Sequence, residues 1–326
     1  MISAALRHPI VIRSDDMNAD EFGALFSRVF GDLYANFPAQ ETPIRVCGVY
    51  GRYDGVSFRH MRYGGDVAFA TPDMADEISF ILPTTGQMIA NLLTQSVATP
   101  AVGLAVEKSH MRSVRMLDGH TQYGFSIRRG LFVQRLSVLL GRPVMKAIHF
   151  QSRVDLSDKA FDGLKALVGF ATSVEADSLI NARSLMPERL QEMLIDAVLE
   201  VWPHSYSEDL QRPQPGIAPR HVKLAMDYLQ EHPQTLVSGT ELAALSNVSL
   251  RALQEGFKRF VGTSIVAYQR QVRLEYAWKL LQCEPSSSVN EVALRLGFSN
   301  AGRFSQYFQQ AYGLRPQDVR KGLHRH

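Results

Sequence analysis

The chain has 326 residues, enough for two domains or for one domain with a smaller module. With 45% hydrophobic and 21% charged residues it is globular rather than disordered, and two cysteines, Cys47 and Cys283, exclude a disulfide framework. The formal charge of +3 hides an asymmetry: from Arg220 to the end there are 14 Lys and Arg against 8 Asp and Glu, whereas the rest of the chain has 21 against 24. A basic last third on an acidic body points to a polyanion as the partner of that third.

The opening stretch, MISAALRHPIVIRSDD, lacks the apolar core of a secretion signal, and no segment reaches the length of a membrane span. Together with the cysteine usage this predicts a cytoplasmic, nucleoid-associated protein that makes no membrane contact.

In chain order, Asn18 to Tyr34 reads as a helix with Phe22, Leu25, Phe26, Val29 and Leu33 on one face. Residues 43–155 hold many short runs of β-branched and aromatic residues broken by Gly, Pro and Asp, among them EISFILPTTGQMIANLL and TQYGFSIRRG, which predicts a barrel or a sandwich. From Ser157 the pattern becomes helical. SDKAFDGLKALVGFATSVEADSL and MPERLQEMLIDAVLEVW each carry a wide apolar face, to be buried on the barrel or on a second subunit. Residues 203–219, with four prolines, read as a linker.

Beyond the linker the chain repeats itself. SGTELAALSNVSLRALQEGFKRFVG (238–262) and SVNEVALRLGFSNAGRFSQYFQQAYG (288–313) both open on Ser-x-x-Glu, a capping box in which Ser and Glu each satisfy one free backbone N–H. Leu242-Ala243 and Val292-Ala293 follow, then a tight turn, one residue longer in the second copy. Leu253 and Phe257, and Phe304 and Phe308, lie four apart on one face of the next helix, and Gly262 and Gly313 stop it. This is the helix-turn-helix plan twice over, at about 238–261 and 288–312. The spacer SIVAYQRQVRLEYAWKLLQ (264–282) would span roughly 28 Å as a helix, against roughly 34 Å between successive major-groove faces.

On VSLRALQEGFKRFVGTS, VRLEYAWKLL and VNEVALRLGFSNAGRFSQYFQQAYGLRPQDVRK, residues 221–322 resemble the DNA-binding domain of the AraC/XylS family of bacterial transcription regulators. MRYGGDVAFATP, ISFILPTTGQ and LSVLLGRPV resemble the effector-binding half of its XylS-like members, a cupin-like barrel followed by helices. The resemblance implies an α+β chain with four parts: a regulatory barrel at 1–156, its helical part at 157–202, which can serve dimerisation, the linker, and a DNA-binding domain at 220–326. It further implies promoter DNA and RNA polymerase as partners, an activator of a catabolic or signalling operon, and a small-molecule effector. The alternative is a first half that only dimerises or binds a protein partner.

The first two turns of each second helix should enter the groove with the aromatic face inward. Arg251 and Gln254 in the first copy, and Arg303 and Gln306 in the second, are the candidate base readers, because Arg pairs bidentately with guanine and Gln with adenine. Ser249, Lys258, Asn300 and Ser305 are candidates for phosphate contact or helix capping. Glu255 breaks the basic pattern, and Ala301 and Gly302 remove side-chain readout, so the first helix should discriminate at least as well as the second. Arg270 and Arg273 fit either DNA contact or packing.

In the first half, Arg45, Tyr50, Arg52, Tyr53, Arg59, His60 and Arg62 crowd a short stretch. Arg45, Tyr50, Arg52, His60 and Arg62 form the candidate ligand set, for an organic anion, against the plainer possibility of an outward strand face of alternating charge. His60, His110, His120 and His149 show no metal-ligand spacing, and no catalytic or phosphate-loop motif occurs. No cofactor, metal or enzymatic activity is therefore expected.

Overall fold

The computed structural model describes residues 10–321, except 19, 22, 25–44, 54, 71–76, 93, 118, 143, 145, 177–185, 213–217 and 285. It divides into two compact units, Met1–Phe132 with His149–Ser205, and Val133–Ile148 with Tyr206–His326.

The first unit is built on strands β1 (Ile10–Met17), β2 (Arg45–Tyr53), β3 (Val56–Gly64), β4 (Val67–Ala70), β5 (Glu77–Thr85), β6 (Met88–Asn91), β7 (Gln95–Ala98), β8 (Val102–Glu107), β9 (Ser113–Met116) and β10 (His120–Arg128). Helix α1 (Arg129–Leu139) follows, with only its first four residues in this unit, then β11 (Arg153–Asp155), α2 (Ala160–Ala171) and α3 (Met186–Val201). Seven strands pair in the order β1-β2-β3-β10-β5-β8-β11 and four in the order β4-β9-β6-β7, all antiparallel. The two sheets enclose an apolar core of Val46, Met61, Tyr63, Ile81, Leu104 and Val106 from the large sheet, and Val67, Met88, Ala90, Val114 and Met116 from the small one. The sequence expectation of a cupin-like barrel followed by helices describes this unit.

Alternation along each strand gives the large sheet a second apolar face. Phe80 and Phe125 stack there at 4.9 Å, and Trp202 meets Phe80 edge-on at 5.0 Å while its indole N–H donates to the Gln151 carbonyl at 2.8 Å. Helix α2 turns Phe161, Leu164, Val168 and Ala171 inward, and α3 turns Leu190, Leu194, Ile195, Val198 and Leu199 inward. They pack against each other, and α2 also packs on β3 and β10. Helix α2 thus covers the second face of the large sheet, and α3 buries its apolar face with α2 within the same unit. Of the helix expected over 18–34, the start is described: Asn18 Oδ1 accepts from the Asp20 and Glu21 N–H groups, and the remainder lies largely outside the described residues.

The second unit carries α4 (Ser207–Gln211), which lies within the proline-rich stretch, α5 (Arg220–Glu231), α6 (Gly239–Leu245), α7 (Leu250–Gly256), α8 (Ile265–Cys283), α9 (Val289–Arg295), α10 (Ala301–Tyr312) and α11 (Pro316–Lys321). A π-helical turn over Phe257–Val261 prolongs α7. Residues 133–148 belong to this unit. The Ala147 N–H donates to the Gln310 carbonyl at 3.1 Å, and the Lys146 N–H to the Tyr206 hydroxyl at 2.9 Å. The all-helical second half expected from sequence is present.

Candidate nucleic-acid interface

The two helix-turn-helix copies correspond residue by residue. Ser238 Oγ accepts from the Glu241 N–H at 3.2 Å while the Glu241 carboxylate accepts from the Ser238 N–H at 2.8 Å; Ser288 and Glu291 repeat this at 3.1 and 2.6 Å. Nine residues beyond each Ser the backbone turns left-handed, at Asn247 (φ 55°) and Gly297 (φ 71°). Asn tolerates this conformation and Gly adopts it without strain. At Gly297 a Cβ would also lie 2.7 Å from Leu236 Cδ1, so the exposed leucine side chain would have to shift.

The reading helices are capped by Ser249, which accepts from the Ala252 N–H, and by Asn300, which accepts from the Gly302 and Arg303 N–H groups. Counted from those caps, Leu253, Phe257 and Val261 occupy the places of Phe304, Phe308 and Tyr312, all buried. Gly262 (φ 73°) and Gly313 (φ 74°) end the helices in the left-handed conformation. The extra residue of the second turn lies between the left-handed position and the cap.

With the apolar stripe inward, Arg251, Gln254, Lys258, Arg303 and Gln306 are exposed and Ser305 is half-buried. Arg251 Nε donates to Glu255 Oε1 one turn on, at 3.0 Å. A solvent-exposed pair of this kind is worth about 0–1 kcal/mol, less than the roughly 1–3 kcal/mol of a bidentate guanine contact. A pair this weak leaves the Arg251 side chain available to another partner.

Helix α8 joins the copies over 19 residues, opened by Ser264 accepting from the Ala267 N–H. Two of its arginines make packing contacts. Arg273 is buried, lies 4.6 Å from the centre of the Phe298 ring and donates to the Leu296 carbonyl at 3.0 Å, so it holds the second turn in place. Arg270 lies 4.2 Å from the Tyr307 ring centre on the reading helix α10. Trp278 is buried, with its ring parallel to Phe308 at 5.6 Å. On the far side of the second copy, Arg295 grips Glu284 with two nitrogens, at 2.7 and 3.2 Å.

Glu275 gave no sequence signal, because a glutamate in a helix looks like surface. It is half-buried on α8, and burial pushes its carboxyl up to about 7, opposed by the Ser137 hydroxyl and by Lys279. The Ser137 hydroxyl donates to it at 3.4 Å. The folded state thus holds this proton more tightly than an unfolded chain with the ordinary value of 4.5. The fold is favoured below that value and loses the contribution as pH rises toward 7. Glu275→Gln is expected to raise thermal stability by about 1–2 kcal/mol at pH 8 and to leave it nearly unchanged at pH 4.5. Equal melting shifts at both pH values would show that the carboxyl titrates normally.

The candidate ligand set of the first half is split by strand alternation. Tyr50 and Arg52 share the inner face of the large sheet with Val46 of the barrel core, while Arg45, His60 and Arg62 occupy the opposite face, where the His60 and Tyr123 rings stack at 4.1 Å. Arg59 pairs with Tyr50 across β2 and β3 and so joins the inner group. Among the described residues no cluster of His, Cys, Asp and Glu could hold a metal ion, and no helix is long and apolar enough to cross a membrane.

Residues 22–200 match the AraC-binding-like domain family, and residues 242–322 match a helix-turn-helix domain family. The chain is 27% identical over 312 residues to the probable thc operon regulatory protein of Rhodococcus erythropolis, covering 94% of this chain and 93% of that one. The HTH-type transcriptional activator RhaS of Escherichia coli is 31% identical over 101 residues, 31% of this chain and 36% of RhaS, so the match spans about a third of that relative. Among solved structures, a probable AraC family transcriptional regulator from Rhodopseudomonas palustris aligns with 32% of this chain and 98% of its own, at 27% identity and a TM-score of 0.31. With both halves matched in the order the fold presents them, the chain belongs to the AraC family of transcriptional regulators, with a cupin-like effector-binding domain and a helix-turn-helix DNA-binding domain.

Proposed function

We propose that the protein is a sequence-specific activator that sets two reading helices into successive major-groove segments of a promoter. The observation that carries this is the position-by-position repeat: two capping boxes, two left-handed turns and two capped reading helices, joined by one continuous helix. Arg251 and Gln254 read bases in one segment and Arg303 and Gln306 in the next. Lys258 and Ser305 meet phosphates, while Ser249 and Asn300 shape the helix N-termini aimed at the backbone. A cytoplasmic homodimer, an effector bound in the barrel and contact with RNA polymerase complete the proposal. The activator role and the control of a catabolic or signalling operon draw on the names of RhaS and of the thc operon regulator.

Selection of bound duplexes from a random pool by the full-length protein is expected to enrich one motif with two conserved blocks; a pool that stays random contradicts sequence-specific reading. On the selected site, Lys258→Ala should reduce the slope of log K against log salt by about 1 and weaken specific and random DNA alike. An unchanged slope removes Lys258 from the phosphate contacts.

A further inference from the structure

The inner face of the large sheet changes character along its length. Two residues beyond the apolar core, β2 presents Tyr50 and Arg52, β3 Ser57 and Arg59, β10 Ser126, and β5 Glu77 and Ser79, in register across four adjacent strands. Lys108, just after β8, reaches the same place, its ammonium 2.6 Å from Glu77. Arg52 takes the other Glu77 oxygen at 3.3 Å, and Arg128 stands opposite Glu77 in the register. Burial pushes the Glu77 carboxyl up, but Lys108 and then Arg52 outweigh it and hold it below the usual carboxylate range, so Glu77 is ionised and already shared.

Arg59 borders that cluster, interacting with Glu77 and Lys108 at longer range. Its guanidinium donates to Ser79 Oγ at 3.0 Å and to Ser126 Oγ at 3.4 Å, and the two hydroxyls bond each other at 3.2 Å. It lies flat over Gly124, where a Cβ would sit 2.8 Å from Cζ; the missing side chain makes its seat. The ionisable groups that act on it are Tyr63 and Tyr50, whose hydroxyls burial pushes up to about 12, so both are neutral phenols, and, more weakly, Glu77. Among the described residues no carboxylate lies within ion-pair distance of Arg59.

A half-buried guanidinium whose hydrogen bonds go to hydroxyls, and whose nearby carboxylate Glu77 is already shared by Lys108 and Arg52, is incompletely paired, and buried charges are ordinarily paired. Arginine does not relieve this by losing its proton. Its planar fork fits the two oxygens of one carboxylate, and serine hydroxyls can turn from accepting to donating. Arg59 is only partly covered and the neighbouring Arg52 side chain is 20% exposed, so the place is reached from solvent. Met61 and Tyr63 continue the same face of β3 into the apolar core, so the body of an acid would lie against an apolar and aromatic wall.

We infer that Arg59, supported by Ser79, Ser126 and Tyr50, binds the carboxylate of a small organic acid that acts as the effector. This rests on the proposed regulator function and adds the chemical class of ligand and the residue that selects it.

The test titrates the full-length protein by calorimetry and thermal shift with a panel of short aliphatic and aromatic monocarboxylates, each beside its uncharged primary amide. Binding to the selected DNA site is measured in parallel. At least one acid should bind and raise the melting temperature while its amide does not. Arg59→Gln should weaken that acid at least tenfold, Arg59→Lys less so, and both should still bind the selected DNA. Should Arg59→Gln fail to fold, the Ser79→Ala, Ser126→Ala double variant takes its place, with a several-fold loss expected. Equal binding of acid and amide, undiminished binding by the variants, or no binding across the panel by a protein that still recognises its DNA overturns the inference. Loss of DNA recognition by the wild type would instead fault the regulator function.

Discussion

Phe308→Ala is expected to cost about 3–5 kcal/mol and to abolish recognition by the second reading helix. Phe308 is fully buried, and its ring contacts Trp278 on α8 at 5.6 Å, Phe304 at 5.6 Å and Tyr312 at 4.7 Å. Truncation leaves a hole among three aromatic rings that are themselves anchored on two helices, so the site cannot collapse cheaply. Near-UV circular dichroism during thermal unfolding reports the loss. Phe308→Leu, which keeps most of the volume, should retain most of the stability and the DNA binding. A small effect of the alanine variant would mean that Phe308 does not anchor α10.

Arg303→Ala is expected to weaken binding to the selected site by about 1–3 kcal/mol and to relax preference at one base pair. Arg303 is exposed on the first turn of α10, and its backbone N–H donates to the Asn300 cap at 3.1 Å. The cap holds the helix start while the side chain is presented outward, so alanine removes a contact without disturbing the fold. Competition binding against single-base variants of the site reads out the result. An equal loss on specific and random DNA would reassign Arg303 to phosphate.

The DNA-binding half was legible because its features depend on residue type. A capping box needs Ser and Glu at one spacing, a left-handed stop favours glycine, and buried positions four apart need apolar side chains; the chain supplies each of these twice. The π-helical turn after Gly256 was not legible, since Phe257–Val261 carries an ordinary helical pattern. Nor was the buried state of Arg273, because its partners are the carbonyls of Leu296 and Gly297, acceptors that every residue type provides.

In the barrel, alternation within β3 alone separates Ser57 and Arg59 from Phe58 and His60. What one strand could not reveal was the neighbourhood of Arg59. Ser79 and Ser126 lie 20 and 67 residues away, brought together only by the pairing of β3, β10 and β5. The place of residues 133–148 beside α8 was hidden for the same reason: Ser137 and Glu275 are 138 residues apart.

The central claim, two readers on one rigid spacer, is tested most directly by footprinting the full-length protein on its selected site, with hydroxyl radicals and by guanine-N7 methylation interference. Two protected segments about one helical turn apart on one face of the duplex are predicted, with major-groove interference in both. Arg303→Ala should erase interference in one segment and leave the other intact. A single protected segment, or interference confined to the minor groove, would contradict it.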